Sequence, residues 1–319
     1  MYSMMTKENL LNCHNRIRPF IHNTAVLTSR LMDRKVNANL FFKCENFQRA
    51  GAYKMRGATN AILQLSDEQK KNGVVTHSSG NFAQALSLGA QSVGVTAYIV
   101  MPNTAPEVKK VGVKEYGGKI YECEPTVKAR QALADEIALK TGATFIHPSN
   151  DENVILGQGT AALELLKEHP DLDFIFCPVG GGGLIAGSAL AAKYFGDSCK
   201  VYGAEPFEAD DAYRSLLSGK IEGNDTVNTI ADGLKTTLGD INFPIIKEFV
   251  NGIIRVDEDE IVAAMKLVWE RMKIIIEPSS AVTVAAVIRQ SKENPEVLKN
   301  RNVGIIISGG NVDLSNLPF

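Results

Sequence analysis

The sequence predicts an α/β protein built from parallel twisted sheets covered by helices on both faces. Short β-branched or aromatic runs alternate with longer stretches of helical period, which is the pattern of strand–helix–strand units. Several of the runs end in Gly-rich turns, where open parallel sheets bind ligands. The chain also has no low-complexity tract, long charge block or internal repeat. Its 319 residues allow about two domains, and 45% hydrophobic with 22% charged residues describes a chain able to bury a large core.

The predicted strands, in order, are NLFFKC (39–44), GVVTHS (73–78), TAYIVM (96–101), KIYEC (119–123), DFIFCPV (173–179), KVYGAE (200–205), GIIRV (252–256) and NVGIIIS (302–308). Between them, stretches such as AALELLKEH and EIVAAMKLVWERM repeat apolar residues at helical spacing. Four strand–helix units between Gly73 and Ala143 predict a small domain, residues 73–144, inserted into a larger one made of 1–72 and 145–319.

Bulk properties exclude several function classes. A net charge of −2 favours neither nucleic acid nor an anionic membrane surface. Five scattered cysteines without a C-x-x-C pair suit buried thiols in a reducing compartment. The polar start lacks the apolar core of a signal peptide, and no apolar run is long enough to span a bilayer. The expectation is a cytoplasmic protein.

Four segments carry residues suited to chemistry. In FQRAGAYKMRGATNAI, Lys54 stands near a helix N-terminus, where the helix dipole disfavours a cation. Buried there, its amine would have the depressed pKa that Schiff-base chemistry needs, although most helix lysines are simply solvated. HSSGNFAQA puts Ser78, Ser79 and Asn81 between a strand and a helix; a serine there either caps the helix or serves a ligand. In FCPVGGGGLIAG, Gly180, Gly181, Gly182 and Gly183 are entropically costly in succession, a cost explained by a backbone nest that holds a phosphate. The alternative for this loop is a dinucleotide fingerprint, with Gly181, Gly183 and Ala186 as G-x-G-x-x-A and Glu205 ending the next strand. IIISGGNVD ends a buried strand with Ser308, either a tight turn or a hydroxyl facing a ring heteroatom.

These motifs together resemble fold-type II pyridoxal-5′-phosphate (PLP) enzymes, within them the serine racemase and serine/threonine dehydratase group. The likeness runs through FFKCENFQ, GAYKMRGA, HSSGN, GQGTAALE, PVGGGGL, AEPFEADD, TIADGLK, LVWERMK, IEPSSA and SGGNVDL, nearly the whole chain. It implies that Lys54 carries PLP as a Schiff base with Tyr53 near the ring, and that Gly180 to Gly183 cradle the phosphate. Asn81 would meet the ring's 3′-oxygen and Ser308 the pyridine nitrogen. Ser79 matches the second acid/base, opposite Lys54, and Ser78, Asn81 and Arg130 match positions that receive the substrate carboxylate. Glu205, Ala209 and Asp211 match a Mg²⁺ or Ca²⁺ site, whereas chemistry alone makes the two carboxylates a solvated loop pair. The likeness further implies a homodimer and ATP as an effector near Lys109, Tyr116 and Gln84. Phe82 departs from the histidine of SSGNH, and Thr236 from a serine; both bear on substrate choice.

The expected chemistry starts with Lys54 removing the substrate α-hydrogen. Return of a proton by Ser79 gives the enantiomer, and loss of a β-hydroxyl gives a keto acid and ammonia. A neutral Ser308 at the pyridine nitrogen makes a weaker electron sink than a carboxylate would, which favours elimination. A nicotinamide-dependent oxidoreductase and a non-catalytic binding protein are the alternatives. Within the first reading, serine, threonine and 3-hydroxyaspartate remain open as substrates.

Overall fold

The computed structural model describes residues 5–319. Its strands are β1 (Val26–Leu27), β2 (Asn39–Cys44), β3 (Val74–His77), β4 (Ala97–Pro102), β5 (Lys119–Cys123), β6 (Thr144–Phe145), β7 (Phe174–Pro178), β8 (Lys200–Pro206), β9 (Val250–Val256) and β10 (Asn302–Ile307). They form a six-stranded sheet, β1-β2-β10-β7-β8-β9, and a four-stranded sheet, β5-β4-β3-β6. Every pairing is parallel except β1 with β2.

All eight predicted strands are present, with ends shifted by up to two residues. The two that sequence reading missed, β1 and β6, have two residues each, too short to show alternation. The small sheet accordingly has three strand–helix units where four were counted. β6 closes it, and the following helix, Glu152–Glu168, packs mainly in the layers around the large sheet.

The large sheet is buried on both faces, as its continuous apolar strands require. On β7, Ile175 and Cys177 turn to one core cluster, as does Val179 just after it, and Phe174 and Phe176 turn to the other. The helices Glu152–Glu168 and Gly183–Phe195 lie in the first layer, and Pro278–Glu293 in the second. Glycines set the helix spacing. A Cβ on Gly157 would lie 2.5 Å from Arg56 O and one on Gly159 2.6 Å from Gly187 O. Helix Glu152–Glu168 therefore draws the Lys54 helix, Lys54–Leu63, and the Gly183 helix close together.

A buried ion cluster pins the same helix. Arg56, fully buried, meets Glu45 Oε2 at 2.7 Å and Glu164 Oε2 at 2.6 Å, and Lys43 meets Glu164 at 2.8 Å. Removing one partner from such a cluster strands a buried charge, so Arg56→Leu should cost about 3–5 kcal/mol, measured by urea denaturation. A loss below about 1 kcal/mol, the range of a surface pair, would show that the cluster holds nothing in place.

Candidate active site

The carboxyl ends of β10, β2 and β7 lie side by side, with Ile307 paired to Cys44 and Ile305 to Phe176. The SGGN, RAGAYK and GGGG segments that follow are therefore neighbours. The first two are stitched together: Tyr53 N donates to Ser308 O at 3.0 Å and Gly310 N to Gly51 O at 2.9 Å. A tight left-handed turn at Ala50 (φ 57°) and Gly51 (φ 69°) aims the chain into the helix that begins at Lys54. A Cβ at Gly51 would also lie 2.3 Å from Asn311 Oδ1, so both conformation and space require glycine there.

Lys54 Nζ donates to Pro148 O at 2.9 Å and lies 5.0 Å from the Tyr53 ring centroid and 5.8 Å from that of Phe82. The side chain is only half-buried by surface area, but these groups enclose the amine itself. That desolvation lowers its pKa to about 7, against the opposing pull of the Glu277 carboxylate. A substantial share of the amine is thus neutral near pH 7, the form that a nucleophile or proton acceptor needs. Phe82, 2% exposed, contributes an apolar wall where the expected histidine would have placed a polar ring.

Asn81 opens the helix Asn81–Gln91, and its Nδ2 donates to both Glu277 oxygens, at 2.9 and 3.1 Å. Its Oδ1 accepts from Asn311 Nδ2 at 3.0 Å, which joins SSGN to SGGN. Burial raises Glu277 to a pKa of about 7, with Asn81 pulling the other way. Neither Ser78 nor Ser79 caps the helix. Gly80 is the N-cap, without a side-chain bond, and Ser78 Oγ accepts only from Gly80 N, at 3.4 Å. The Ser79 hydroxyl has no hydrogen-bond partner among the described residues. Arg130 lies apart from these groups: its Nε donates to Thr126 O at 3.4 Å, and its charge acts on His77.

The glycine turn has the form of an anion cradle. Gly182 is left-handed (φ 82°) and Gly183 starts a 13-residue helix with no side-chain cap. The first helix-closing bond is Ala186 N to Gly182 O, 3.0 Å. The buried N–H groups of Gly180 to Ile185 have no acceptor among the described residues. Unpaired buried N–H groups are rare and costly, and a run of them at a helix start is what a phosphate satisfies. Ser308, 2% exposed, offers a neutral hydroxyl 3.0 Å from Ser280 Oγ. A phosphate cradle, a lysine amine of lowered pKa and a buried hydroxyl able to meet a ring nitrogen, all at one sheet edge, fit PLP, which needs a phosphate site, a lysine for its aldehyde and a partner for its ring nitrogen.

Three residues without a role in the sequence reading belong to this site. His147 Nδ1 accepts from Ser149 N (3.2 Å) and Asn150 N (2.8 Å), folding the turn that presents Pro148 O to Lys54. Burial pushes His147 down to about 4, which keeps it a neutral acceptor. Glu277 faces Lys54 and Asn81. Asn242 clasps the glycine turn. The motif IEPSSA contained Glu277, but nothing in the local pattern marks Asn242.

Glu205 and Asp211 are both fully buried, so the solvated loop pair expected from chemistry alone is corrected. Glu205 accepts from Ala212 N (3.2 Å) and Tyr213 N (2.9 Å), and Asp211 from Asn224 Nδ2 (2.7 Å) and Leu238 N (3.3 Å). No lysine or arginine hydrogen-bonds either one among the described residues. Burial first, then the Asp211 charge, raises Glu205 well above the usual carboxylate range; burial raises Asp211 to about 6. Ala209, also buried, ends the short turn between them. Among the described residues no group of three or more His, Cys, Asp or Glu could hold a metal, so any ion here would rest on this pair and a carbonyl. The inward turn of Glu205 also removes the nicotinamide alternative, which needed that carboxylate free for a ribose. Lys109 is paired with Asp232, while Gln84 lies beside Gly112 on the helix that ends before Tyr116.

The sequence matches the family described as pyridoxal-phosphate dependent enzyme over residues 17–309. It is 50% identical to a serine racemase of Dictyostelium discoideum, covering 98% of this chain and 97% of that one. It is 46% identical to the beta-hydroxyaspartate dehydratase of Paracoccus denitrificans, covering 98% of each. The structure of maize serine racemase superposes with a TM-score of 0.94 at 45% identity, over 97% of this chain and 94% of that one. The chain therefore belongs to the pyridoxal-phosphate dependent enzyme family.

Proposed function

We propose that the chain is a PLP-dependent serine racemase that also eliminates water from L-serine to give pyruvate and ammonia. The observation that carries this reading is the enclosed Lys54 amine at the edge of a cradle of free N–H groups. When bound, PLP supplies a sink for the electrons left behind as the α-proton departs. Lys54 Nζ takes that proton, and the uncommitted Ser79 hydroxyl returns one from the other side. Gly180 to Gly183 would hold the phosphate, Ser308 would meet the ring nitrogen and Tyr53 the ring, and Asn81 would meet the 3′-oxygen once its amide turns from Glu277. Ser78, Asn81 and Arg130 receive the substrate carboxylate, which requires Arg130 to swing away from Thr126.

A second reading, elimination from threonine or 3-hydroxyaspartate without racemisation, draws on the similarity to the Paracoccus dehydratase. Holoenzyme given L-serine, L-threonine and 3-hydroxyaspartate in turn, with keto acid and enantiomer quantified, separates the two. D-serine together with pyruvate from L-serine is the expected result. Keto acid from 3-hydroxyaspartate or threonine, with no D-serine, would transfer the assignment to the dehydratase.

Glu205, Asp211 and the Ala209 carbonyl are read as a Mg²⁺ or Ca²⁺ site. Two buried carboxylates without a cationic partner lack the charge that would let both ionise, and a hard divalent ion supplies it. Chelation should lower the melting temperature by about 2–3 °C, as about 1–2 kcal/mol does in a chain of this size, and Mg²⁺ or Ca²⁺ should restore it. No change on chelation, with no ion recovered from the protein, would remove the metal from the account.

ATP at Gln84, Tyr116 and Lys109 requires Lys109 to leave Asp232. A homodimer follows from the same resemblance and is read out by sedimentation. Residues 73–144 are read as the inserted small domain, a division supported by the four-stranded sheet. Five free cysteines support a cytoplasmic setting. Among the described residues no helix is long and apolar enough to cross a membrane.

A further inference from the structure

Asn242 is fully buried where three loops meet. Its Nδ2 donates to Gly181 O at 2.8 Å and to Ser149 O at 3.2 Å, and its Oδ1 accepts from Gly239 N at 3.1 Å. The first of these bonds matters for the cradle. A trans peptide points its C=O and N–H to opposite sides. Holding Gly181 O toward Asn242 therefore turns the Gly182 N–H away from Asn242.

Four successive glycines have no Cβ to resist a peptide flip, so the turn cannot keep this orientation by its own backbone preferences. A flipped Gly181–Gly182 peptide would present a carbonyl dipole in place of an N–H, which repels an anion. Space tells the same story: a Cβ on Gly182 would lie 2.6 Å from Asn242 Oδ1, so the amide fills the volume behind the turn. The second bond ties the turn to Ser149, whose own N–H is held by His147. The cradle and the Lys54 acceptor Pro148 O are thereby fixed in one frame.

We propose that Asn242 is a positioning residue that locks the tetraglycine turn with its N–H groups free for the cofactor's phosphate. The inference rests on the PLP reading above, and its test separates the two. Apoenzymes of the wild type, Asn242→Ala and Asn242→Asp are titrated with PLP and with pyridoxal, which lacks the phosphate but has the same aldehyde for Lys54. Asp is nearly isosteric and keeps the acceptor for Gly239 N, so at least one variant should retain the fold. The expected result is PLP binding weakened about tenfold or more in both variants, with pyridoxal binding changed less than about twofold. Stabilisation of the apoenzyme by inorganic phosphate should be lost in parallel.

Equal weakening of PLP and pyridoxal would make Asn242 a general structural residue and overturn the proposal. So would unchanged PLP affinity, or a loss confined to the Asp variant, which would reflect its charge alone. A wild-type enzyme that bound pyridoxal as tightly as PLP would instead refute the phosphate cradle itself.

Discussion

Replacing Lys54 with alanine should abolish covalent attachment of PLP and lower both racemisation and elimination by at least about 10³-fold. The expectation follows from the position of the amine. Nζ is enclosed by Tyr53, Phe82 and Pro148 O at the start of its helix. One side chain is assigned both the attachment and the proton removal, so its loss removes both together. The lowered pKa adds a pH dependence. The reactive amine is the neutral form, so attachment of PLP to the apoenzyme should accelerate as pH rises, with a midpoint near the pKa of about 7. Lys54→Ala retaining near-wild-type turnover would overturn the assignment, and a midpoint near that of an ordinary lysine would remove the desolvation argument.

Ser79→Ala should divide the two reactions. Racemisation needs a proton donor on the side opposite Lys54, whereas elimination from L-serine proceeds with Lys54 alone. Formation of D-serine should therefore fall by about 10² or more, while pyruvate formation from L-serine changes by only a few-fold. D-serine as substrate should suffer with racemisation, because its α-hydrogen would lie on the side assigned to Ser79. The structure sharpens the comparison. A capping serine would cost about 1 kcal/mol on removal, but Gly80 is the N-cap and the Ser79 hydroxyl bonds nothing there. The variant should keep its stability, and kinetics alone should report the role. Equal loss of both activities in folded, PLP-loaded protein would count against Ser79 as the second acid/base.

Much of the fold was legible because buried parallel strands leave a strong local trace. NLFFKC was read as a strand with the bounds it has in the structure, Asn39–Cys44. β1 and β6 left no such trace because two residues cannot establish a period. The glycine turn was legible for a different reason: four glycines in a row are costly unless backbone must meet a ligand. What stayed hidden are the residues whose importance comes from long-range contact. Asn242 reaches Gly181 across 61 positions and Ser149 across 93, and Glu277 reaches Asn81 across 196. Burial was hidden for the same reason. Glu205 and Asp211 look like ordinary loop carboxylates until the surrounding elements enclose them.

The measurement that bears most directly on the central claim is reduction of the purified, PLP-loaded protein with borohydride, followed by peptide mass mapping. The account predicts a single modified peptide, with the reduced pyridoxyl group on Lys54. A reduced group on any other lysine, or a yellow protein that releases all its PLP after reduction, would contradict it.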